Sequence, residues 1–304
     1  MRNKAADKHD RKAPETLSRR QALSGLAGAA LTLPWWSRLP ADESLADKAL
    51  DLNDPWDRLT ALAKLRGNID GSTVMWWMKG VRYGVVDNVI QPLFGMLVGS
   101  FQRLRPIPGK GFEVNMLEMS YFTDLATGAV LDTFKNPYNG KVVEVPEQRL
   151  GPYPVLMRPT GVILPDVPMF GEVELQTQVG PAFVSGDDVW IRDDSTVKVD
   201  SDHPMMGKHI YNELVTYRGS LRELNDPRVT SARSEISYTA VTSWREWFEA
   251  DDVGGHTTAR ANGSKIYRLE DFPPEYLVAA RERHPDLIAD PDAVLDAAPP
   301  LELP

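Results

Sequence analysis

The chain has 304 residues, 42% hydrophobic, 25% charged and 9% aromatic, a balance that supports a buried core, and it contains no cysteine. Disulfides, thiol nucleophiles, Cys-ligated zinc and iron–sulfur clusters are thereby excluded. Residues 1–41 hold eight Lys/Arg against three Asp/Glu, a net of +5, which leaves −14 on the remainder of a chain whose total is −9. So acidic a body lacks the basic stripe that nucleic-acid phosphate requires, and an anionic membrane surface repels it. No apolar run approaches the roughly 18 residues of a spanning helix, so no stable membrane insertion is expected.

The basic excess sits at the N-terminus. Ser18-Arg19-Arg20-Gln21-Ala22-Leu23 leads into a weakly hydrophobic run of small residues that ends at Leu33. A charged lead before a short apolar segment reads as an export signal, and the Arg pair makes it the twin-arginine kind. A periplasmic or secreted location follows, with the twin-arginine translocase as a partner during export. The competing reading is a short N-terminal helix with a basic lead. Residues 1–45 are therefore set apart from the fold as signal and linker.

In the mature chain, residues 54–67 predict a short helix, with Asp54 as N-cap, Pro55 at the first position and Gly67 as the stop. Extended patterns then take over: 73–86, 113–122, 129–134 and 141–145, with Asn136-Pro137 and Asn139-Gly140 as turn signals. Residues 172–179 alternate cleanly, with Val173, Leu175, Thr177 and Val179 opposed to Glu174, Gln176 and Gln178. Residues 183–192, broken at Gly186-Asp187-Asp188, and residues 209–218 and 235–244 complete the strands. Short strands, frequent turns and no intervening helices predict a mainly β fold in one domain over 46–288. An up-and-down, lipocalin-like antiparallel barrel is favoured because it leaves no open edge. Residues 269–284 predict a C-terminal helix, and the Asp-, Ala- and Pro-rich 289–304 a disordered tail.

The C-terminal third carries Ser243-Trp244-Arg245-Glu246-Trp247-Phe248, Gly254-Gly255-His256, Ala261-Asn262-Gly263-Ser264-Lys265 and Leu269-Glu270-Asp271-Phe272-Pro273. Earlier come Tyr121-Phe122-Thr123-Asp124-Leu125-Ala126-Thr127-Gly128 and Phe134-Lys135-Asn136-Pro137-Tyr138-Asn139-Gly140. With these segments the chain resembles an uncharacterised family, domain of unknown function 1838, over most of residues 54–288. Its members are often twin-arginine-exported proteins of environmental bacteria. The resemblance implies one undivided domain and brings no catalytic residues.

Candidate chemistry centres on residues 209–217. At a period of two, His209, Tyr211, Glu213 and Tyr217 share a strand face. If that face lines a barrel, imidazole, phenols and carboxylate converge on one cavity, where burial raises a carboxyl pKa and His cycles protons near neutrality. The competing reading leaves this face in water, with Ile210 and Leu214 in the core. Glu118 is the second candidate, a carboxylate among Val114, Met116 and Phe122, with Arg82 as its expected partner; a buried structural ion pair is the alternative. Trp76, Tyr121, Tyr138 and Trp190 are the expected substrate-binding aromatics. Asp202, His203, His209, Glu213 and His256 match no standard metal spacing, and neither P-loop, dinucleotide nor G-x-S-x-G patterns occur, so no metal and no cofactor are expected. Two functions remain. One is a cofactor-independent acid–base lyase, isomerase or hydrolase for an apolar hydroxylated molecule such as an aromatic or terpenoid; the other is a periplasmic carrier of the same ligand class.

Overall fold

Asp54 opens the first element: its carboxylate accepts the Trp56 and Asp57 amides at 2.8 and 3.0 Å, Pro55 needs no donor, and helix α1 (Pro55–Arg66) runs to Gly67. Lys265 fixes the far end, donating from Nζ to the carbonyls of Lys64 at 2.7 Å and Gly67 at 3.0 Å. The computed structural model describes residues 49–164 and 170–301. The expected export signal, residues 1–45, lies outside the described residues.

Beyond α1 the described chain is mostly strand: β1 (Thr73–Val86), β2 (Val89–Ile107), β3 (Gly111–Thr123), β4 (Thr133–Lys135), β5 (Val142–Glu144), β6 (Gln148–Arg158), β7 (Gly161–Ile163), β8 (Glu172–Val179), β9 (Phe183–Ser185), β10 (Asp188–Asp200), β11 (Lys208–Ser220), β12 (Ser234–Thr242) and β13 (His256–Ile266). A one-turn helix, α2 (Leu221–Asn225), separates β11 from β12. The main sheet runs β7-β6-β3-β2-β1-β13-β12-β11-β10-β9, while β4 and β5 pair with each other. Its pairs are antiparallel, and the first strand meets the last, Met75 opposite Ile266. β8 fills the remaining gap. Gly180 N–H just after it donates to the Arg192 carbonyl at 2.9 Å, and Thr177 Oγ1 accepts the Val162 amide at 2.6 Å. The result is a nearly closed, antiparallel, barrel-shaped sheet, as the strand pattern predicts.

Two corrections concern how it is built. Neither β2 nor β13 stands out in the sequence, yet both are central strands. The expected disordered tail is instead helical in part. α3 (Pro274–Arg283), α4 (Pro285–Ala289) and α5 (Pro291–Asp296) each begin at a proline, and Leu287 and Leu295 are fully buried. These helices cover the outer face of β1–β3, where Met75, Leu97, Phe101, Leu117, Met119 and Tyr121 form an apolar layer against Phe272, Tyr276 and Leu277. The inner face holds a separate core to which α1 contributes Leu59, Leu62 and Leu65. Among the described residues no helix is long and apolar enough to cross a membrane.

The outer layer closes on Gly99 of β2, where a Cβ would lie 2.1 Å from Tyr276 Oη. Gly99→Ala should therefore lift α3 from the sheet at a cost of about 1–3 kcal/mol. Amide exchange should rise across 274–296 before it rises in the barrel strands; unchanged protection of that segment would refute this seating.

Candidate functional site

Alternation along the strands carries every second side chain inward, and a cavity of about 270 Å³ remains between them. β11 gives it His209, Tyr211 and Glu213, β3 gives Met116, Glu118, Ser120 and Phe122, and β1 gives Arg82. On the opposite face of β11, Ile210 is 49% and Leu214 47% exposed, which settles the orientation of the strand. The polar face is the inner one.

Glu118 and Arg82 both stand where the ladder is disturbed. The β3–β6 register shifts between Met116 and Glu118, and the β1–β2 register between Arg82 and Tyr83. On β6 the extra length falls at Gly151, whose φ of +105° suits glycine and whose added Cβ would strike the Met116 carbonyl at 2.4 Å. Such bulges re-aim side chains next to cavities.

The expected Glu118–Arg82 ion pair does not form. Glu118 Oε1 accepts from Ser120 Oγ at 3.3 Å, while Arg82 Nη1 donates to Thr257 Oγ1 at 3.1 Å. Burial pushes the Glu118 carboxyl up, with Ser120 and the Arg82 charge pulling it partly back. The guanidinium that does pair is Arg66, at the end of α1: it reaches Asp193 Oδ2 at 3.1 Å and Gln102 Oε1 at 3.1 Å. Burial raises Asp193 against the opposing pull of Arg66.

Glu213 occupies the middle of this set. Burial, followed by the Glu118 charge, pushes its carboxyl up to about 7, while the Tyr211 hydroxyl and Arg66 act in the other direction. Tyr211 and Tyr238 share a hydroxyl–hydroxyl hydrogen bond of 2.6 Å, and burial holds both phenols well above their ordinary range. His209 is 6% exposed; burial, with the Arg245 charge, lowers it to about 4, so it is a neutral imidazole at pH 7. Its Nδ1 is buried without a hydrogen-bond partner among the described residues. Arg245, in the loop after β12, donates to the Met205 carbonyl at 3.2 Å, and burial and the neighbouring Arg82 bring it down to about 10.

Thus five of the six residues expected to be catalytic, His209, Tyr211, Glu213, Glu118 and Arg82, line one cavity. Tyr217 does not. It lies in the core edge-on to Trp76, ring centroids 5.5 Å apart, because the end of β11 nearest α1 is packed with side chains rather than left open. The four expected binding aromatics are also elsewhere. Trp76 is core; Tyr121 lies on the outer face, bonded to His284 Nδ1 at 2.8 Å; Tyr138 packs against Trp244; and Trp190 packs, tilted by 41°, against Phe183 outside the barrel. The aromatic lining comes instead from Phe122, Tyr153, Phe170, Tyr211 and Tyr238. Of the lining residues not foreseen, Tyr238 is legible from the alternation of β12, Ile236, Tyr238, Ala240. Arg245 and Arg66 sit at a loop and a helix end, where no period marks an inward side chain. Among the described residues no three of His, Asp and Glu gather as a bound metal would require.

A family model described as "Protein of unknown function (DUF1838)" matches residues 70–299, which contain β1 through α5 and every strand of the barrel. No curated protein matches the chain.

Proposed function

We propose, for a chain that belongs to the DUF1838 family of proteins of unknown function, the role of a cofactor-independent acid–base enzyme. It acts as a lyase, isomerase or hydrolase on a small, largely apolar, hydroxylated molecule. One observation carries the reading: a carboxyl pushed up to about 7, Glu213, beside the Tyr211–Tyr238 hydroxyl pair in a single cavity. A base with its pKa near the working pH combines availability with proton-accepting strength. The phenols, kept protonated by burial, are donors for an oxygen on which charge develops. His209 supplies a neutral imidazole at the same wall. The cavity of about 270 Å³ lies just below the range of pockets that take drug-sized ligands, which suits a ligand the size of one aromatic ring or a small terpenoid.

The carrier reading draws on the apolar part of the wall, Met96, Met116, Phe122, Val155 and Val173. Turnover separates the two. Small molecules from an extract should be incubated with the protein and followed by mass spectrometry in heavy water. The enzyme reading expects a compound that the wild-type protein converts, with a formula unchanged apart from deuterium taken up from the solvent, or with loss or gain of water, and that Glu213→Gln binds unconverted. Compounds released chemically unchanged by both proteins would reject it in favour of a carrier.

Export belongs to the same reading, supported by Arg19-Arg20 ahead of a run of small apolar residues. Replacing both arginines with lysine should leave the protein in the cytoplasm on cell fractionation. Undiminished recovery outside the cytoplasm would refute twin-arginine export.

A further inference from the structure

We propose that the cavity holds its ligand by an anionic group, a carboxylate on a compact apolar body, seated between Arg82 and Arg245. This rests on reading the cavity as the working site and adds the charge of what it binds. Arg82 is only 8% exposed; one of its nitrogens meets Thr257, and its buried Nε has no partner. Arg245 is half-buried and reaches main-chain carbonyls, those of Met205 at 3.2 Å and Met206 at 3.5 Å. Among the described residues neither guanidinium has a carboxylate within 4.0 Å. Arg66, in the same cavity, pairs with Asp193 at 3.1 Å. The chain therefore neutralises the guanidinium that ties α1 to the barrel and leaves the other two open.

That arrangement is costly without a ligand. A buried charge is retained when it is paired, and an unpaired one signals a missing partner or a functional demand. The two guanidiniums also repel each other, since the Arg82 charge disfavours protonated Arg245. A carboxylate between them relieves both penalties at once, and its two oxygens match the planar fork of arginine. The remaining wall is suited to an apolar body: Met96, Met116 and Phe122 lie in the same lining. Glu118 and Glu213 share that cavity, which disfavours a dianion such as phosphate relative to a monoanion.

Benzoate and benzamide, nearly equal in shape and different in charge, test this by thermal unfolding of the full mature chain. Inorganic phosphate and sodium chloride at matched ionic strength are the remaining arms. At about 20 mM, benzoate should raise the melting temperature by about 3 °C or more, and the other three by less than about 1 °C. Arg82→Met and Arg245→Met should each abolish the benzoate shift while melting, without ligand, no lower than the wild type, because each removes an unpaired buried charge. Equal shifts with benzoate and benzamide, no benzoate shift, or a phosphate shift as large would each overturn the proposal; so would a benzoate shift that survives in both variants. The wild-type arms decide even if a variant fails to fold. Glu213→Gln should keep the benzoate shift, so failure of the anion site leaves the acid–base reading standing, and failure of that reading leaves the anion site standing.

Discussion

Glu213→Gln is expected to lower turnover of the true substrate by about 10²–10⁴-fold, the usual contribution of a general acid–base group, with little change in ligand affinity. The amide fills the same volume, so what disappears is the capacity to take a proton. The same substitution has a signature in stability. In the unfolded chain the carboxyl titrates near 4.5 and in the folded protein near 7. Between those values the folded state holds a proton that the unfolded state has released, so the wild type loses stability as pH rises through this window. The loss is complete above about pH 7 and amounts to about 3 kcal/mol. Glutamine carries no such penalty. The variant should therefore unfold at higher denaturant than the wild type at about pH 8, with the advantage gone near pH 4. Equal pH profiles for the two proteins would show that Glu213 is hydrated and ordinary, and would remove it as the base.

Phe94→Ala should produce the largest loss of stability of any single truncation at this end of the barrel. Phe94 is fully buried, and its ring lies 4.5 Å from Phe122, 5.2 Å from Phe134, 6.1 Å from Phe248 and 6.2 Å from Trp247. The four rings left, drawn from β3, β4 and the loop after β12, cannot all close over the void, so both the transfer and the cavity costs are incurred. The sum is about 3–5 kcal/mol, or a fall of roughly 10 °C in melting temperature for a domain of this size. Phe183→Ala is the control: that ring is 63% exposed, and its removal should change stability by less than about 0.5 kcal/mol. Urea unfolding with an unchanged slope measures both. Since Phe122 belongs both to this cluster and to the cavity wall, Phe94→Ala should also weaken ligand binding.

The strands that the sequence makes visible are those with water on one side. Residues 172–179 alternate because Glu174 and Gln176 face out while Val173 and Leu175 face the cavity, and β11 and β12 behave alike. β2 hides for the opposite reason. From Leu93 to Gln102 it is buried on both faces, inward against the barrel core and outward under the C-terminal helices, so it has no alternation, and Pro92, Gly95 and Gly99 imitate turns. β13 hides because its inward residues are small: Thr257, Ala259, Ala261 and Gly263, the last so close to β1 that a Cβ would meet the Trp77 carbonyl at 1.8 Å. In the tail, prolines that read as breakers are helix starts, and two leucines suffice to anchor them. The site was legible where chemistry coincided with period, at His209, Tyr211 and Glu213. It was not legible where a side chain enters from outside the sheet, as Arg245 does, or where alternation continues beyond the open volume into packed core, as at Tyr217.

Pairing β1 with β13 ties the fold to the order in which the chain is made. Met75 meets Ile266, so the contact that completes the ring joins segments about 190 residues apart, and it forms after nearly the whole domain has been synthesised. Non-local closure of this kind has a high entropic cost before it gains contacts, and it makes folding slow. Until His256 to Ile266 is in place, β1 and β12 each present an unpaired edge. A nascent or proteolytically clipped chain that stops short of His256 is thus a template for strand addition by its neighbours. The vulnerable period of this protein is its own biosynthesis, and the last strand ends it.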